Sequence, residues 1–310
     1  MPNGGGARLG IDEIPVRVRA AIEEILGSPV VAADSQPGGF SPGLAARLVL
    51  ADGRRAFAKA VGVERNPDAP GFHRREIEVL GALPPDLPVP RLLGSYDDGS
   101  WVALVVEDVA GEAPAEPWRA DELARVVEAM AKLADRLTPS PIEVRPVATF
   151  DEELFRGWRT LAANPVAAAP LGPAVCARLD ELAGIEEGWT AAAAGDSLVH
   201  TDLRADNILL TPHGVVFVDW PHARIGAPWL DLLFMLPSVA ATGTDPGEVW
   251  AAYPPARAAD PDAVTAVLVA QTGFFLYHSL LPPPPNLERV REFQRVQGEA
   301  AMRWVEARLR

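Results

Sequence analysis

Cysteine is almost absent from this chain of 310 residues, with Cys176 as its single example. One thiol cannot form an internal disulfide, which excludes the disulfide-stabilised scaffolds of small secreted proteins and fits the reducing cytosol. Residues 1–6 show no basic segment followed by an apolar one, so we expect no secretory signal. Both observations predict a cytoplasmic location.

Positive charge is also scarce. The chain has 28 Lys and Arg residues against 42 Asp and Glu residues, which gives a formal net charge of −14. Nucleic-acid-binding proteins present a basic face, so we expect no nucleic-acid partner. Only two lysines occur, Lys59 and Lys132. A lysine that persists in an arginine-rich chain marks a position where a compact ammonium can matter.

The sequence has no convincing membrane span. Residues 263–281 carry no formal charge and are long enough to be tested as one. The run nevertheless contains Gln271, Thr272 and His278, and no basic cluster flanks it. We therefore expect a helix that is buried inside a large helical region, and no membrane partner.

Residues 200–219 read H-T-D-L-R-A-D-N-I-L-L-T-P-H-G-V-V-F-V-D and combine several carboxylates with an amide. Two short apolar runs, 208–211 and 215–218, flank a Pro-His-Gly triplet, which predicts a β-hairpin with a three-residue loop. In that hairpin Thr211 pairs with Val215.

Counting back along this predicted ladder sets Asn207 opposite Asp219, where paired Cα atoms lie about 4.5–5.5 Å apart. Asp202 lies in the loop just before the ribbon. Two carboxylates and an amide in one small volume are suitable for a hard cation such as Mg²⁺ with a general base beside it. The alternative is a solvated loop in which Asp202 caps a helix and Asn207 forms a turn.

The pattern H-x-D-x-x-x-x-N, followed by a hairpin and V-D, resembles the catalytic and metal-binding loops of the aminoglycoside phosphotransferase family, a branch of the protein-kinase-like fold. The resemblance implies that Asp202 accepts or orients the proton of an acceptor hydroxyl. It also implies that Asn207 and Asp219 hold Mg²⁺ on the phosphates of ATP or GTP. His200 is expected to organise the loop backbone.

The same stretch departs from the family pattern at three places. Thr201 stands where the family usually has Gly, Arg204 where many members have His, and Trp220-Pro221 where protein kinases have Phe-Gly. We expect these differences to affect the substrate and the loop conformation more than phosphoryl transfer.

A β-meander is predicted near the start of the chain, with strands at residues 30–33, 45–50 and 55–60. A glycine-rich turn at residues 36–43 joins the first two strands, and such a turn lets backbone N–H groups approach phosphate oxygens. It resembles the nucleotide-positioning loop of the family, which implies nucleotide contacts by Gly39, Phe40 and Ser41. An ordinary turn is the alternative.

Lys59 lies inside the apolar third strand, and a buried ammonium is costly unless it is paired. We expect its partner to be Glu76, in a helix at residues 71–83, with Glu78 as the competing carboxylate. The resemblance implies that this pair aims the lysine at the nucleotide phosphates. The apolar face of the helix is predicted to consist of Phe72, Ile77, Leu80 and Leu83.

A further hairpin, with strands at 92–96 and 101–107, ends in a segment that resembles the inter-lobe hinge of the family. The resemblance implies that the carbonyl of Glu107 and the N–H of Val109 hold the adenine, with Val106 at the back of the pocket. The alternative is a buried strand that simply leaves its sheet.

A helix is predicted at about residues 11–26, and helical patterns follow the hinge at residues 121–137, 150–163, 173–184 and 228–240. Asp231, near the start of the last of these helices, is expected to cap it or to bond the backbone of the catalytic loop. The order of the signals predicts an α+β, two-lobed protein-kinase-like fold. Residues 1–109 are expected to form the nucleotide-binding lobe, an antiparallel β-sheet with a helix. Residues 110–310 are expected to form the mostly helical lobe, with the catalytic and metal-binding loops and the acceptor site.

These signals predict an ATP- or GTP-dependent O-phosphotransferase that uses Mg²⁺ and acts on a hydroxyl group of a small molecule. The resemblance suggests an aminoglycoside or another antibiotic, and a metabolite such as an amino alcohol or a sugar is the alternative acceptor. A cationic acceptor could meet acidic residues of the helical lobe, unless these are solvated helix faces: Glu152, Glu153, Glu186 and Glu187. A nucleotide-binding pseudoenzyme and a metallohydrolase are the other classes left open.

Overall fold

The structure, a computed structural model, describes residues 8–36, 43–150, 154–284 and 289–310. The predicted nucleotide contacts Gly39, Phe40 and Ser41 lie outside these residues, as do Glu152 and Glu153. The strands within the described ranges are β1 (Val30–Ser35), β2 (Leu44–Leu50), β3 (Arg55–Gly62), β4 (Leu92–Asp97), β5 (Trp101–Glu107), β6 (Ser197–Val199), β7 (Ile208–Thr211), β8 (Gly214–Phe217) and β9 (Arg224–Gly226).

The helices of the described ranges include several of a single turn. The α-helices are α1 (Val16–Leu26), α2 (Ala69–Ala82), α3 (Ala120–Arg136), α4 (Gly157–Ala163), α5 (Pro165–Ala168), α6 (Pro173–Cys176), α7 (Leu179–Glu186), α8 (Trp189–Ala192), α9 (Leu230–Ala240), α10 (Pro246–Ala252), α11 (Pro261–Ser279) and α12 (Val290–Arg308). Short 3₁₀ turns occur at Val147–Thr149, Ala169–Leu171, Ala205–Asn207 and Pro254–Ala258.

The chain divides into two compact units. The first contains Met1–Pro114 and Ala205–His222, and the second contains Ala115–Arg204 and Ala223–Arg310. The ribbon β7–β8 therefore belongs to the first unit although it follows much of the second in sequence.

The first unit is built on an antiparallel five-stranded sheet in the order β1-β2-β3-β5-β4. Helix α1 contributes Val18, Ile22 and Leu26 to the hydrophobic core of this sheet. The helix begins at Val16, later than the periodicity predicts, and Pro15 precedes its first turn. Gly27 ends it with a left-handed φ of 65°.

Helix α2 buries only part of the predicted apolar face. Leu80 and Leu83 are buried as predicted, whereas Phe72 and Ile77 are only half-buried. The rest of the buried face is polar, because His73 and Glu76, one turn apart, are 4% and 3% exposed. A purely apolar criterion does not recognise a buried carboxylate whose counter-ion comes from the sheet.

The second unit is mostly helical. Helix α3 buries Leu123, Val126 and Met130 as predicted. The predicted helix at residues 173–184 is interrupted and becomes α6 and α7, and α4 begins only at Gly157. Helix α11 corresponds to the uncharged run and is buried from Ala266 to Gly273, so the prediction of a buried helix is confirmed.

Two glycines allow α4 and α11 to approach at backbone distance. A Cβ atom on Gly157 would lie 2.0 Å from the carbonyl oxygen of Gly273, so no larger residue fits at this crossing. In the part of the chain that the structure describes, no helix is long and apolar enough to cross a membrane.

Candidate active site

A buried ion triad occupies the first unit. Lys59 Nζ on β3 donates to both carboxylate oxygens of Glu76, at 2.8 and 2.9 Å, and to Oδ1 of Asp219 at 2.5 Å. Glu78 is exposed on α2, so the predicted pairing of Lys59 with Glu76 is confirmed. Burial alone would lower the pKa of Lys59, but the carboxylates of Asp219 and Glu76 outweigh burial and raise that pKa above its ordinary value.

The ribbon that carries Asp219 has a different register from the predicted one. Thr211 pairs with Gly214 and Ile208 with Phe217, so the loop contains two residues rather than three. The ladder then sets Asn207 opposite Val218, whose N–H donates to the Asn207 carbonyl at 3.0 Å. The predicted pairing of Asn207 with Asp219 is therefore wrong by one residue.

A left-handed backbone at Asp219 compensates for this shift. Its φ is 70°, so the alternation of side chains along an extended strand no longer applies at this residue. Asn207 and Asp219 both line the same cavity despite the register. Left-handed conformations of residues other than glycine cost energy and tend to occur at functional positions.

The cavity of the first unit has a volume of about 510 Å³, within the usual range for small-molecule sites. All the predicted nucleotide-binding and metal-binding residues within the described ranges line this cavity. They are Lys59, Glu76, Val106, Glu107, Val109, Asn207 and Asp219. Val106 pairs with Phe57, two residues along β3 from Lys59. The segment Val106–Val109 therefore begins about 7 Å from the strand position of the ammonium.

Two arginines hold the segment that follows β5. Arg47 on β2 donates to the carbonyl of Val109 at 3.3 Å and lies 3.4 Å from a carboxylate oxygen of Asp108. Arg55 pairs with the other oxygen of Asp108 at 2.7 Å. The Asp108 side chain is only 6% exposed, so these contacts fix the main chain beside the cavity.

The donor set of the cavity fits Mg²⁺. Asn207 offers an amide oxygen and Asp219 a carboxylate, which are the hard ligands that this ion prefers. Among the described residues, no group of three or more His, Cys, Asp or Glu side chains could hold a metal on its own. Magnesium does not need such a group, because it commonly takes one or two protein ligands and completes its shell with phosphates and water.

The loop that carries Asp202 lies in the second unit, after β6. Both carboxylate oxygens of Asp231 on α9 accept backbone N–H groups of this loop, from His200 at 3.0 Å and from Thr201 at 2.8 Å. The N–H of Asp202 donates to Nδ1 of His200 at 3.3 Å, which confirms that His200 organises the loop backbone. Thr201 has a left-handed φ of 67°, which explains why glycine suits this position in the family pattern.

The candidate catalytic carboxylate has a cationic neighbour. Arg204 donates to Oδ1 of Asp202 at 3.1 Å, and the Asp202 side chain is 32% exposed. The arginine guanidinium also lies 6.0 Å from the centre of the Phe293 ring. Asp202 is thus ionically paired and still accessible to solvent.

Glu186 is neither a solvated residue nor a candidate ligand for a cationic acceptor. Its side chain is fully buried and accepts the backbone N–H groups of Trp158 and Arg159, at 3.0 and 2.9 Å, at the start of α4. Arg159 Nε donates to the same carboxylate at 3.0 Å. Both predicted alternatives for Glu186 are therefore wrong, whereas Glu187 is exposed.

Comparison with known proteins gives the family. Residues 45–266, about seven tenths of the chain, match the model of the phosphotransferase enzyme family. The chain belongs to this family. The resemblance that the sequence motifs suggested is thereby confirmed.

A curated relative of this phosphotransferase family protein is the aminoglycoside 3'-phosphotransferase of Streptomyces fradiae, which is 33% identical over 145 residues. The match covers 41% of this chain and 48% of that protein, so the chain spans about half the length of the curated relative it matches.

Two solved structures share the fold of the phosphotransferase family protein. One is a candidate fructosamine-3-kinase of Haemophilus somnus, with 12% identity, coverage of 94% of this chain and 97% of that chain, and a TM-score of 0.53. The other is a choline kinase of Cryptosporidium parvum, with 13% identity, coverage of 94% and 90%, and a TM-score of 0.53. Together with the five-stranded antiparallel sheet and the helical second unit, they confirm the predicted α+β kinase-like fold.

Sequence reasoning missed the group that fixes the main chain beside the cavity, namely Arg47, Arg55 and Asp108. An arginine in a short strand has no signal that distinguishes an exposed side chain from one that lines a cavity. Arg47 is two residues from Ala45 along β2 and so lies on the same face of the sheet, which was the available clue. Asp231 was expected to cap a helix or to bond the catalytic loop, and the structure shows the second role.

Proposed function

We propose that the protein is an ATP- or GTP-dependent O-phosphotransferase that acts on a hydroxyl group of a small molecule. The observation that carries this proposal is the ammonium of Lys59, bound to Glu76 and Asp219 in a cavity of nucleotide-sized volume. An ammonium that is fixed by two carboxylates is oriented before a ligand arrives. Membership of the phosphotransferase enzyme family supports the same activity.

The cavity suggests where each part of the nucleotide binds. The base would lie against Val106 and use the carbonyl of Glu107 and the N–H of Val109. The phosphates would extend along β3 toward Lys59, which Glu76 holds in position. Gly39, Phe40 and Ser41 complete the proposed contacts, on the resemblance of their turn to the nucleotide-positioning loop of the family.

Asn207 and Asp219 would hold Mg²⁺, which in this class of enzyme neutralises charge on the phosphates. Lys59 also contacts Asp219, so the orientation of this candidate metal ligand is coupled to that of the ammonium. Removal of Lys59 would therefore release the Asp219 carboxylate from this contact, whereas Glu76 would still hold Lys59 if Asp219 were removed.

Asp202 is the proposed residue that orients the acceptor hydroxyl and accepts its proton. Arg204 holds its carboxylate, and Asp231 fixes the backbone of its loop through two N–H groups. A carboxylate that is held in this way loses little freedom when the acceptor binds, which favours reaction. We assign the acceptor site to residues 110–310 and the nucleotide to residues 1–109.

For the acceptor, we propose an aminoglycoside or another antibiotic, and the partial match to the Streptomyces fradiae relative supports this class. A small metabolite with a hydroxyl group is the second candidate. Because the proposed reaction consumes a nucleoside triphosphate, we propose that it takes place in the cytosol.

Transfer of labelled phosphate from ATP and from GTP onto a panel of antibiotics and hydroxyl metabolites tests the proposal. We expect turnover with at least one acceptor, and a loss of about 10²–10⁴-fold in kcat for Asp202→Asn with nucleotide binding retained. Asp180→Asn, an exposed position on α7, is the matched control. Nucleotide binding without transfer to any acceptor would instead support a pseudoenzyme.

A further inference from the structure

Helix α2 holds the segment that follows Asp219 at two consecutive residues. Arg75 Nε donates to the carbonyl oxygen of Pro221 at 3.3 Å. The ring of Phe72, one turn earlier on the helix, lies 5.0 Å from the ring of His222. Because the two contacts fall on neighbouring residues, this segment cannot move along the helix without losing both.

Arg75 and Phe72 form one contact surface. The guanidinium carbon of Arg75 lies 4.6 Å from the centre of the Phe72 ring, and residues three apart on a helix are neighbours on its surface. Both side chains are half-buried, so water weakens this cation–π contact less than it would on an open surface. The donor of Arg75 is therefore held in place where it meets the carbonyl of Pro221.

The segment that α2 holds includes the strained turn at Asp219. A residue other than glycine keeps a left-handed φ, here 70°, only where its surroundings enforce that conformation. The indole of Trp220 is fully buried and donates to the carbonyl of Phe217 at 2.9 Å, which closes the turn on itself. The bond from Arg75 to Pro221 then fixes the closed turn to α2.

The same helix also reaches Asp219 by way of Lys59. Glu76, next to Arg75 in sequence, binds Lys59 Nζ at 2.8 Å, and Lys59 binds the Asp219 carboxylate. One turn of α2 thus acts on Asp219 by two routes. The ion contact restrains the carboxylate, whereas Arg75 restrains the main chain that directs it.

We propose that Arg75 is a positioning residue for the candidate metal ligand Asp219, because its bond to the carbonyl of Pro221 keeps the turn in the conformation in which this carboxylate lines the cavity. This inference rests on the proposed function. Arg75 is absent from the described residues that line the cavity, so it acts through the turn and without contact to the nucleotide. Loss of Arg75 should therefore weaken only the part of nucleotide binding that depends on Mg²⁺.

The test measures the Kd of ATP for the full chain by isothermal titration calorimetry, once with saturating Mg²⁺ and once with EDTA. Arg75→Met keeps an unbranched side chain on the Phe72 ring and removes the donor. We expect its Kd with Mg²⁺ to rise about three- to tenfold, as for one lost hydrogen bond, and its Kd in EDTA to change by less than about twofold. Arg75→Lys keeps a donor and a cation over the ring, so it should lose less affinity than Arg75→Met.

Arg74→Met is the matched control. Arg74 is the neighbouring arginine of α2 and pairs with Asp97 at 2.7 Å, with side chains 41% and 42% exposed. This variant should keep the wild-type Kd in both media. Equal losses with Mg²⁺ and with EDTA in Arg75→Met would indicate a general loosening of the first unit, and an unchanged Kd with Mg²⁺ would show that the turn holds without Arg75. Either result would overturn the inference.

The double variant of Arg75→Met with Asp219→Ala shows whether Arg75 acts through Asp219. Asp219→Ala alone should raise the Kd of ATP with Mg²⁺, and the addition of Arg75→Met should raise it further by less than about twofold. A further rise as large as in the wild-type background would overturn the inference and leave the proposed function intact, as would a wild-type affinity that does not depend on Mg²⁺. A wild-type protein that binds no ATP in either medium would overturn both.

Discussion

The strength of the buried ion triad can be measured without knowledge of the substrate. Replacing Lys59 by Met leaves Glu76, which is 3% exposed, without its cation in the core. Loss of one partner of a buried pair costs about 3–5 kcal/mol. Glu76→Gln keeps an oxygen acceptor for Lys59, which also retains Asp219, so we expect a smaller loss of about 1.5–3 kcal/mol.

The double variant, Lys59→Met with Glu76→Gln, measures the coupling between the two residues. It leaves neither group charged and buried without a partner. Its loss of stability should therefore be about 2 kcal/mol smaller than the sum of the two single losses. The remaining carboxylate, Asp219, has a side chain that is 37% exposed and can be solvated. Hydrogen exchange of the amides of β3 and β5 reports the local free energy of opening in each variant.

The other lysine of the chain provides the control. Lys132 pairs with Glu128 on α3 at 2.6 Å, with side chains 73% and 68% exposed. The same cycle, Lys132→Met with Glu128→Gln, should show coupling close to zero because water screens an exposed pair. Additive losses at Lys59 and Glu76, within about 0.5 kcal/mol, would refute the view of the triad as one coupled unit.

Three further predictions concern stability. Thr201→Gly should stabilise the second unit by about 0.5–1 kcal/mol in urea unfolding. Glycine removes the strain of a β-branched residue in the left-handed conformation, and this gain exceeds the conformational entropy that glycine loses on folding. Asp231→Asn should destabilise the same unit by about 2–4 kcal/mol in that assay, since asparagine replaces one of the two accepting oxygens by an NH2 group, which cannot accept a loop N–H. Burial lowers the pKa of His73 to about 3, from an ordinary 6.5, so between these values the unfolded chain binds more protons and stability falls as the pH falls. From pH 7 to pH 5, the wild type should therefore lose about 2 kcal/mol more than His73→Gln in chemical unfolding, whereas His213→Gln, at an exposed loop position, should follow the wild type.

The secondary structure of the first unit was largely predictable, because local signals determine it. The Asp-Gly turns at Gly53 and Gly99 have φ values of 85° and 84°, and each joins two apolar strands in the expected hairpin. The cost of an unpaired buried charge predicted that Lys59 has a carboxylate partner. The resemblance to the family pattern then favoured Glu76 over Glu78, although the buried face of the helix was only partly predicted.

The ribbon around Asn207 shows where local reasoning stops. Pro212 and His213 alone form the loop, and Gly214 is the first residue of β8 although its φ is positive, at 155°. Glycine adopts positive φ in loops and in strained strand positions alike, so its presence does not show where the strand begins. The predicted register was therefore one residue out. The left-handed turn at Asp219 had no sequence signal beyond the tolerance of aspartate for this conformation, yet it decides which way the side chain faces.

Glu186 could not have been assigned from sequence for another reason. A Glu-Glu pair in a short helix predicts solvation, and only the tertiary position of α4 supplies the two N–H groups that bind the carboxylate. Whether a charged side chain is buried depends on partner groups that are distant in sequence. The spacing of residues around Glu186 gives no information about such partners.

The bond between Lys59 and Asp219 spans 160 residues. A ribosome must therefore synthesise the whole of α3 to α8 before the strand lysine can meet its second counter-charge. In an N-terminal fragment that stops at Pro114, the five-stranded sheet would contain a buried ammonium paired with Glu76 alone. The first unit is therefore complete only after residue 222 has been synthesised. A nascent chain that pauses before residue 219 should bind chaperones more strongly than one that has passed it.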